Sequence, residues 1–167
     1  MAAVVGHSVG EVAAAWACNA LSLEQAVRVI DARSVQQGHT RGQGGMTAVG
    51  LSVDAVTALL QDTGLSGQLV VAGINSPRGV TLAGELESLQ AFEYRLAERE
   101  VFQRRLKLDY AFHSPAMDPL AVPLQEALRG LRPRASTVPF YSTVAGNRLA
   151  GEQLGAGYWW RNVREPV

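Results

Sequence analysis

The 167-residue chain is the size of one ordinary domain, and its 47% apolar, 18% charged composition is that of a folded globular protein rather than a disordered one. Fifteen basic side chains balance fifteen acidic ones, so the charge favours neither nucleic acid nor an anionic membrane surface as partner. No stretch reads as a signal peptide or as the roughly 18 apolar residues of a membrane span, and a lone cysteine, Cys18, rules out an internal disulfide and fits a reducing, cytoplasmic setting.

Ala2-Ala3-Val4-Val5 opens the chain as a short apolar run that predicts a buried strand, and the helix formers Glu11 to Ala17 follow closely. Between them stands Gly6-His7-Ser8-Val9-Gly10. Gly-X-Ser-X-Gly between a strand and a helix is the pattern of a nucleophile elbow, a sharp turn that presents a serine hydroxyl. Its glycines are expected where side chains at Gly6 and Gly10 would clash, and the helix start behind Ser8 offers free N–H groups to a developing oxyanion.

Helical periodicity returns from Leu23 to about Gln37, with Leu23, Ala26, Val27, Ile30 and Ser34 sharing a face and Ser22 and Gln25 placed for a capping box. After the glycines at 42, 44 and 45, Met46–Leu51 reads as a strand and Ser52 caps a helix over 53–60. Leu69–Ala72 and Val80–Gly84 flank the turn cluster Asn75–Gly79 and predict a hairpin. Glu87–Glu98 is an amphipathic helix, and Val101–Leu108 an imperfect fourth strand.

Residues 46–108 thus read β-α-β-β-α-β, the ferredoxin-like order, inserted between 1–45 and 109–167. Pro115–Leu131 is predicted helical with interruptions at Pro119 and Pro123. Pro139–Val144 suits a strand, and Gly157-Tyr158-Trp159-Trp160 is an aromatic anchor. An elbow strand normally has sheet neighbours on both sides. With Ser8 so early, the sequence reads as an internal piece of a longer protein, expected to fold only in part and to show little activity by itself.

A serine hydroxyl needs a base within hydrogen-bond reach to act as a nucleophile. His7 adjoins Ser8 and should leave the turn in another direction, whereas His39 lies in a Gly- and Arg-rich loop. His113 follows the last strand-like run of the insert, where the chain re-enters the larger subdomain. From spacing alone it is equally a candidate base and a satisfied, partly buried histidine beside Phe112.

Gly6-His7-Ser8-Val9-Gly10-Glu11, then Arg33, then Ala111-Phe112-His113-Ser114 resembles the acyltransferase domain of modular polyketide synthases and the malonyl-CoA:acyl-carrier-protein transacylases of fatty-acid synthesis. Ala20–Ala26, Asn75-Ser76-Pro77, Gly84 and Tyr158-Trp159 extend that resemblance along the whole chain. It implies an α/β-hydrolase-like large subdomain, incomplete at both ends, carrying the ferredoxin-like insert. It further implies that Ser8 is the nucleophile and His113 its base, that Arg33 grips the free carboxylate of a malonyl group, and that the Val9 N–H serves the oxyanion hole. A planar guanidinium suits a carboxylate because it donates two parallel charge-assisted hydrogen bonds.

The implied substrate is malonyl-CoA and the acceptor the phosphopantetheine of an acyl carrier protein, beside neighbours such as a ketosynthase, with no metal or redox cofactor. In this family a Gly-Gln-Gly segment well before the elbow and a later histidine-orienting segment complete the site, and the resemblance places the first ahead of Met1 and the second past Val167. Tyr110-Ala111-Phe112-His113 mixes the malonyl pattern (His-Ala-Phe-His) with the methylmalonyl one (Tyr-Ala-Ser-His). Phe112 and Val9 favour malonyl and Tyr110 methylmalonyl.

Competing readings are an α/β-hydrolase with a Ser-acid-His triad, against which Arg33 and the insert weigh, and a patatin-like lipase, for which no Asp-Gly pair is present. Outside enzymes, the chain could be a non-catalytic scaffold.

Overall fold

The computed structural model describes residues 2–167 as a mixed α/β protein. In chain order, β1 (Val4–Val5) leads to α1 (Gly10–Ala17) and α2 (Leu23–Gly38). Then come β2 (Gly45–Val49), α3 (Val53–Asp62), β3 (Leu69–Ser76), β4 (Gly79–Gly84), α4 (Leu86–Glu98) and β5 (Gln103–Arg105). A 3-10 turn at Pro115–Leu120 precedes α5 (Ala121–Ala127), β6 (Phe140–Tyr141), β7 (Arg148–Leu149) and α6 (Ala156–Arg164). Among the described residues no helix is long and apolar enough to cross a membrane.

The chain divides into two compact units, one of residues 1–39, 119–165 and 167, the other of residues 40–118 and 166. In the first, β1 pairs parallel with β6 (Val4 opposite Phe140), and β7 pairs antiparallel on the far side of β6. Val12, Ala15, Leu21, Leu124, Phe140 and Trp159 form much of its buried interior. Backbone bonds from Arg134 N–H to Ala20 O (2.9 Å) and from Thr137 N–H to Cys18 O (2.8 Å) tie the α1–α2 turn to the segment before β6. Cys18 itself is fully buried, its thiol donating to Ala15 O at 3.3 Å.

The second unit has the order β-α-β-β-α-β and one antiparallel sheet with strands arranged β3-β4-β2-β5. Alternation along the strands builds two cores. Val49, Val80 and Leu82 face α3 and α4 and pack with Leu59, Phe92 and Leu96, while Met46, Ala72 and Ala83 form the other layer with Ala111. Thr47, opposite Leu82 on the helix side, satisfies its hydroxyl on Glu93 of α4 at 2.5 Å, and Arg105 grips the same carboxylate at 2.6 and 2.9 Å.

Local chemistry sets the helix starts. The Ser22 hydroxyl accepts from Gln25 N–H while the Gln25 side chain accepts from Ser22 N–H, a complete capping box for α2, and Ser52 caps α3 in the same direction.

Several elements depart from the sequence expectation. Only Val4 and Val5 of the opening run are strand, and Val5 is 67% exposed because β1 lies at the edge of its sheet. On α2 the apolar stripe faces outward, with Leu23 63%, Val27 58% and Ile30 42% exposed. The buried side carries Ala26, Val29, Ala32 and Arg33, because polar partners draw the guanidinium inward and two alanines leave it room. The strand expected at 101–108 is reduced to three residues, and the one at 139–144 to two, since Ser142–Asn147 turns back into β7. The aromatic anchor is part of a helix, α6, that the sequence reading did not anticipate.

Candidate active site

The elbow is built by a strand and a helix that nearly touch. A Cβ on Gly6 would lie 2.3 Å from the carbonyl carbon of Gly10 and 2.4 Å from Glu11 N, so only glycine fits. The expected clash at Gly10 does not exist. A Cβ there meets nothing within 4 Å, so Gly10 contributes the backbone against which Gly6 packs.

Ser8 is held at a φ of +53°, a region unfavourable to a side chain. Gly10 N–H donates to His7 O at 2.9 Å and Glu11 N–H to Ser8 O at 3.0 Å, closing the turn into α1. Among the described residues the Val9 N–H donates no hydrogen bond within the protein. His7 is exposed at the turn, and His39 is exposed at the C-terminal cap of α2.

Arg33 projects from the buried face of α2 to Ser8, and its Nη2 donates to Ser8 Oγ at 3.1 Å. Its Nη1 donates to Asn162 Oδ1 on α6. Burial lowers the guanidinium to about 10, a shift opposed by the negative charge of Glu11, so Arg33 remains a cation at neutral pH.

Behind this pair lies a polar cluster that the sequence reading did not foresee. Glu11 and Asn162 are both fully buried. Asn162 Nδ2 donates to Ser8 O at 3.1 Å and to Glu11 Oε2 at 2.9 Å. The other carboxylate oxygen accepts from Thr143 N–H at 2.5 Å and from its hydroxyl at 2.9 Å. The Tyr158 hydroxyl donates to Glu11 Oε2 and lies 2.7 Å from Ser142 Oγ, while burial and the adjacent carboxylate push the phenol well above its usual range. The signal available in the sequence was a glutamate in the first turn of an otherwise apolar helix. Nothing in it paired that residue with an asparagine 151 positions later.

His113, Tyr110 and Phe112 belong to the second unit. His113 is buried and adopts a φ of +58°. Ala111 is seated in the Met46–Ala72–Ala83 core layer, with Phe112 packed against it. The Ser114 hydroxyl donates to Ala111 O at 2.6 Å and accepts from Ala116 N–H at 3.2 Å, fixing the turn around the histidine. The Tyr110 and Phe112 rings stack with centroids 4.9 Å apart and planes within 9°. Among the described residues no three His, Cys, Asp or Glu side chains gather as a metal cage.

A family model described as "Acyl transferase domain" matches residues 1–167. The chain is 41% identical over 165 residues to Mycoketide-CoA synthase of Mycobacterium tuberculosis and 43% identical over 166 residues to Polyketide synthase GfsB of Streptomyces halstedii. Each alignment spans 99% of this chain but only 4% and 3% of those relatives. Among solved structures, the acyltransferase domain from module 8 of the salinomycin polyketide synthase superposes with a TM-score of 0.95 at 36% identity. A loading acyltransferase from the avermectin modular polyketide synthase gives 0.94 at 34%. Both cover 99% of this chain, which spans 39% and 52% of theirs. The serine elbow and its buried arginine therefore sit in a chain that belongs to the acyl transferase domain family, with strong homology to the acyltransferase domains of modular polyketide synthases.

Proposed function

We propose that this chain carries the reacting residues of an acyltransferase that moves a malonyl extender unit from CoA to the phosphopantetheine thiol of an acyl carrier protein during polyketide synthesis. The observation that carries this reading is the buried Arg33 guanidinium 3.1 Å from Ser8 Oγ, a cation set beside the nucleophile, where the free carboxylate of a malonyl group would need it.

In the first half-reaction Ser8 Oγ attacks the thioester carbonyl, its proton passes to His113, the C–S bond breaks, and the CoA thiolate leaves with that proton. In the second, the carrier thiol gives its proton to His113 and attacks the serine ester, and Ser8 recovers its hydrogen. The unpaired Val9 N–H at the start of α1 would stabilise the oxyanion in both halves. Arg33, by holding the malonyl carboxylate, favours a positioned thiol over water.

The same reading takes the first unit as part of an α/β-hydrolase-like subdomain and the β-α-β-β-α-β unit as a ferredoxin-like one, in a cytoplasmic protein beside ketosynthase and carrier domains. Malonyl is favoured over methylmalonyl because the stack with Tyr110 restrains Phe112, and a restrained ring beside the base yields less readily to an α-methyl group. A role in fatty-acid synthesis uses the same chemistry and differs in the acceptor.

The test is mass spectrometry of the intact polypeptide incubated with malonyl-CoA. A malonyl adduct on the peptide containing Ser8, lost in Ser8→Ala, is the expected result. Labelling elsewhere, or none, would reject the proposal. Competition between malonyl-CoA and methylmalonyl-CoA for that adduct decides the extender unit.

A further inference from the structure

Glu11 is surrounded by four donors, namely Asn162 Nδ2, the Tyr158 hydroxyl, and the Thr143 N–H and hydroxyl. Only an ionised carboxylate has acceptor sites for all four and no hydrogen of its own to place. Asn162 is consequently constrained. Its amide nitrogen spends both hydrogens, on Glu11 and on Ser8 O, which leaves Oδ1 turned to Arg33. Rotating the amide by half a turn would set its oxygen against two acceptors and its nitrogen against the guanidinium, forfeiting three hydrogen bonds around a fully buried side chain.

We propose that the buried Glu11 carboxylate fixes the orientation of the Asn162 amide, and that Asn162 holds the Arg33 guanidinium and the Ser8 carbonyl in register with one another. This rests on the reading of Arg33 as the carboxylate-binding residue, and it makes Glu11 and Asn162 positioning residues for selection of carboxylated acyl groups. The arrangement draws on elements far apart in sequence. Glu11 comes from α1, Arg33 from α2, Thr143 from the turn after β6, and Tyr158 and Asn162 from α6. Glu11 also supplies the negative charge that offsets the burial of Arg33.

Glu11→Gln tests the idea because it preserves shape while adding a hydrogen-bearing nitrogen. The Thr143 backbone N–H is a fixed donor, so the new carbonyl faces it and the new amide nitrogen faces Asn162. Asn162 then has to turn its oxygen toward position 11 and its nitrogen toward Arg33. Asn162→Asp is the second variant, replacing the neutral acceptor of Arg33 with a charged one that competes with substrate.

The readout is the ratio of kcat/KM for loading malonyl-CoA to that for acetyl-CoA on the intact polypeptide, with Arg33→Ala alongside and a thermal transition to verify folding. Loss of folded protein lowers both substrates equally and leaves the ratio unmoved. The expected result is a fall of roughly tenfold or more in Glu11→Gln, with a matching fall in Asn162→Asp expressed as a raised KM for malonyl-CoA. A wild-type ratio in folded Glu11→Gln and Asn162→Asp, with the ratio collapsed in Arg33→Ala, overturns the positioning role and spares the role of Arg33. An unchanged ratio in Arg33→Ala overturns the carboxylate reading and the positioning role with it. Should Glu11→Gln fail to fold, Asn162→Asp decides by the same criterion.

Discussion

A cation 3.1 Å from a serine oxygen has a chemical meaning that depends on its staying charged. Burial lowers Arg33 to about 10, so the folded protein binds that proton less tightly than the unfolded chain, whose arginine keeps its ordinary, higher value. The cost of burying the charge is present in full below about 10 and fades as pH rises from there toward the ordinary arginine range. Malonyl-over-acetyl discrimination should accordingly be flat through neutrality and decline as pH climbs through about 10, which initial rates of loading against pH would reveal. Arg33→Ala should weaken malonyl loading by roughly 2–5 kcal/mol and spare acetyl loading, and an equal loss for both would make the arginine structural. His113→Ala should slow acylation of Ser8 by on the order of a hundredfold or more. Undiminished acylation of that variant in a rapid-quench measurement would remove His113 from the mechanism.

At the level of elements, the elbow separates what a motif states from what the backbone requires. The two glycines look equivalent in Gly6-His7-Ser8-Val9-Gly10, yet the space around them differs completely. Gly6→Ala drives a methyl into the backbone of Gly10 and Glu11, where no flexible side chain can yield, and should cost roughly 3 kcal/mol or more while displacing Ser8. Gly10→Ala meets open space in the first turn of α1 and should be neutral or stabilise by up to about 1 kcal/mol. Denaturant titration of the two variants distinguishes the predictions, and equal losses would contradict the geometry.

The same contrast explains what the sequence revealed and what it concealed. Caps and turns act between neighbours, so Ser22 with Gln25, Ser52 and the β3–β4 hairpin were legible from local residue types. The buried face of α2 was not. Its orientation is set by Asn162 and Ser8, which lie 129 and 25 positions from Arg33, while Leu23, Val27 and Ile30 form the more apolar stripe. The helix α6 was hidden for a similar reason, since Tyr158 and Asn162 are buried for their polar ends as much as for their apolar parts.

For the molecule as a whole, the order β-α-β-β-α-β was readable from local patterns in the second unit, but in the sheet arrangement β3-β4-β2-β5 only the β3–β4 hairpin joins successive strands, and β2 reaches β4 and β5 across intervening elements. The first unit was less readable. Its sheet joins two-residue strands from opposite ends of the sequence, Val4–Val5 with Phe140–Tyr141, which no local pattern announces. Ser8, Val9 and Arg33 belong to this unit, and Tyr110, Phe112 and His113 to the other. Stability of the two units is thus a separate question for each half of the proposed machinery.

The position of Cys18 supplies a way to ask it. This is the only thiol in the chain, fully buried between α1 and α2, and the second unit has none. A small alkylating reagent can reach it only when the serine-bearing unit opens, so the rate of modification is a clock for that event alone. In the native protein the thiol should react at least about a hundredfold more slowly than in the denatured chain, and raising denaturant should accelerate it in step with the opening equilibrium. Prompt modification under native conditions would mean that the α1–α2 junction opens freely. An acyl-CoA that binds only the closed form should slow the clock further, in proportion to its occupancy. One atom of sulfur, chemically idle in the proposed reaction, thereby converts ligand binding at a neighbouring serine into a measurable delay.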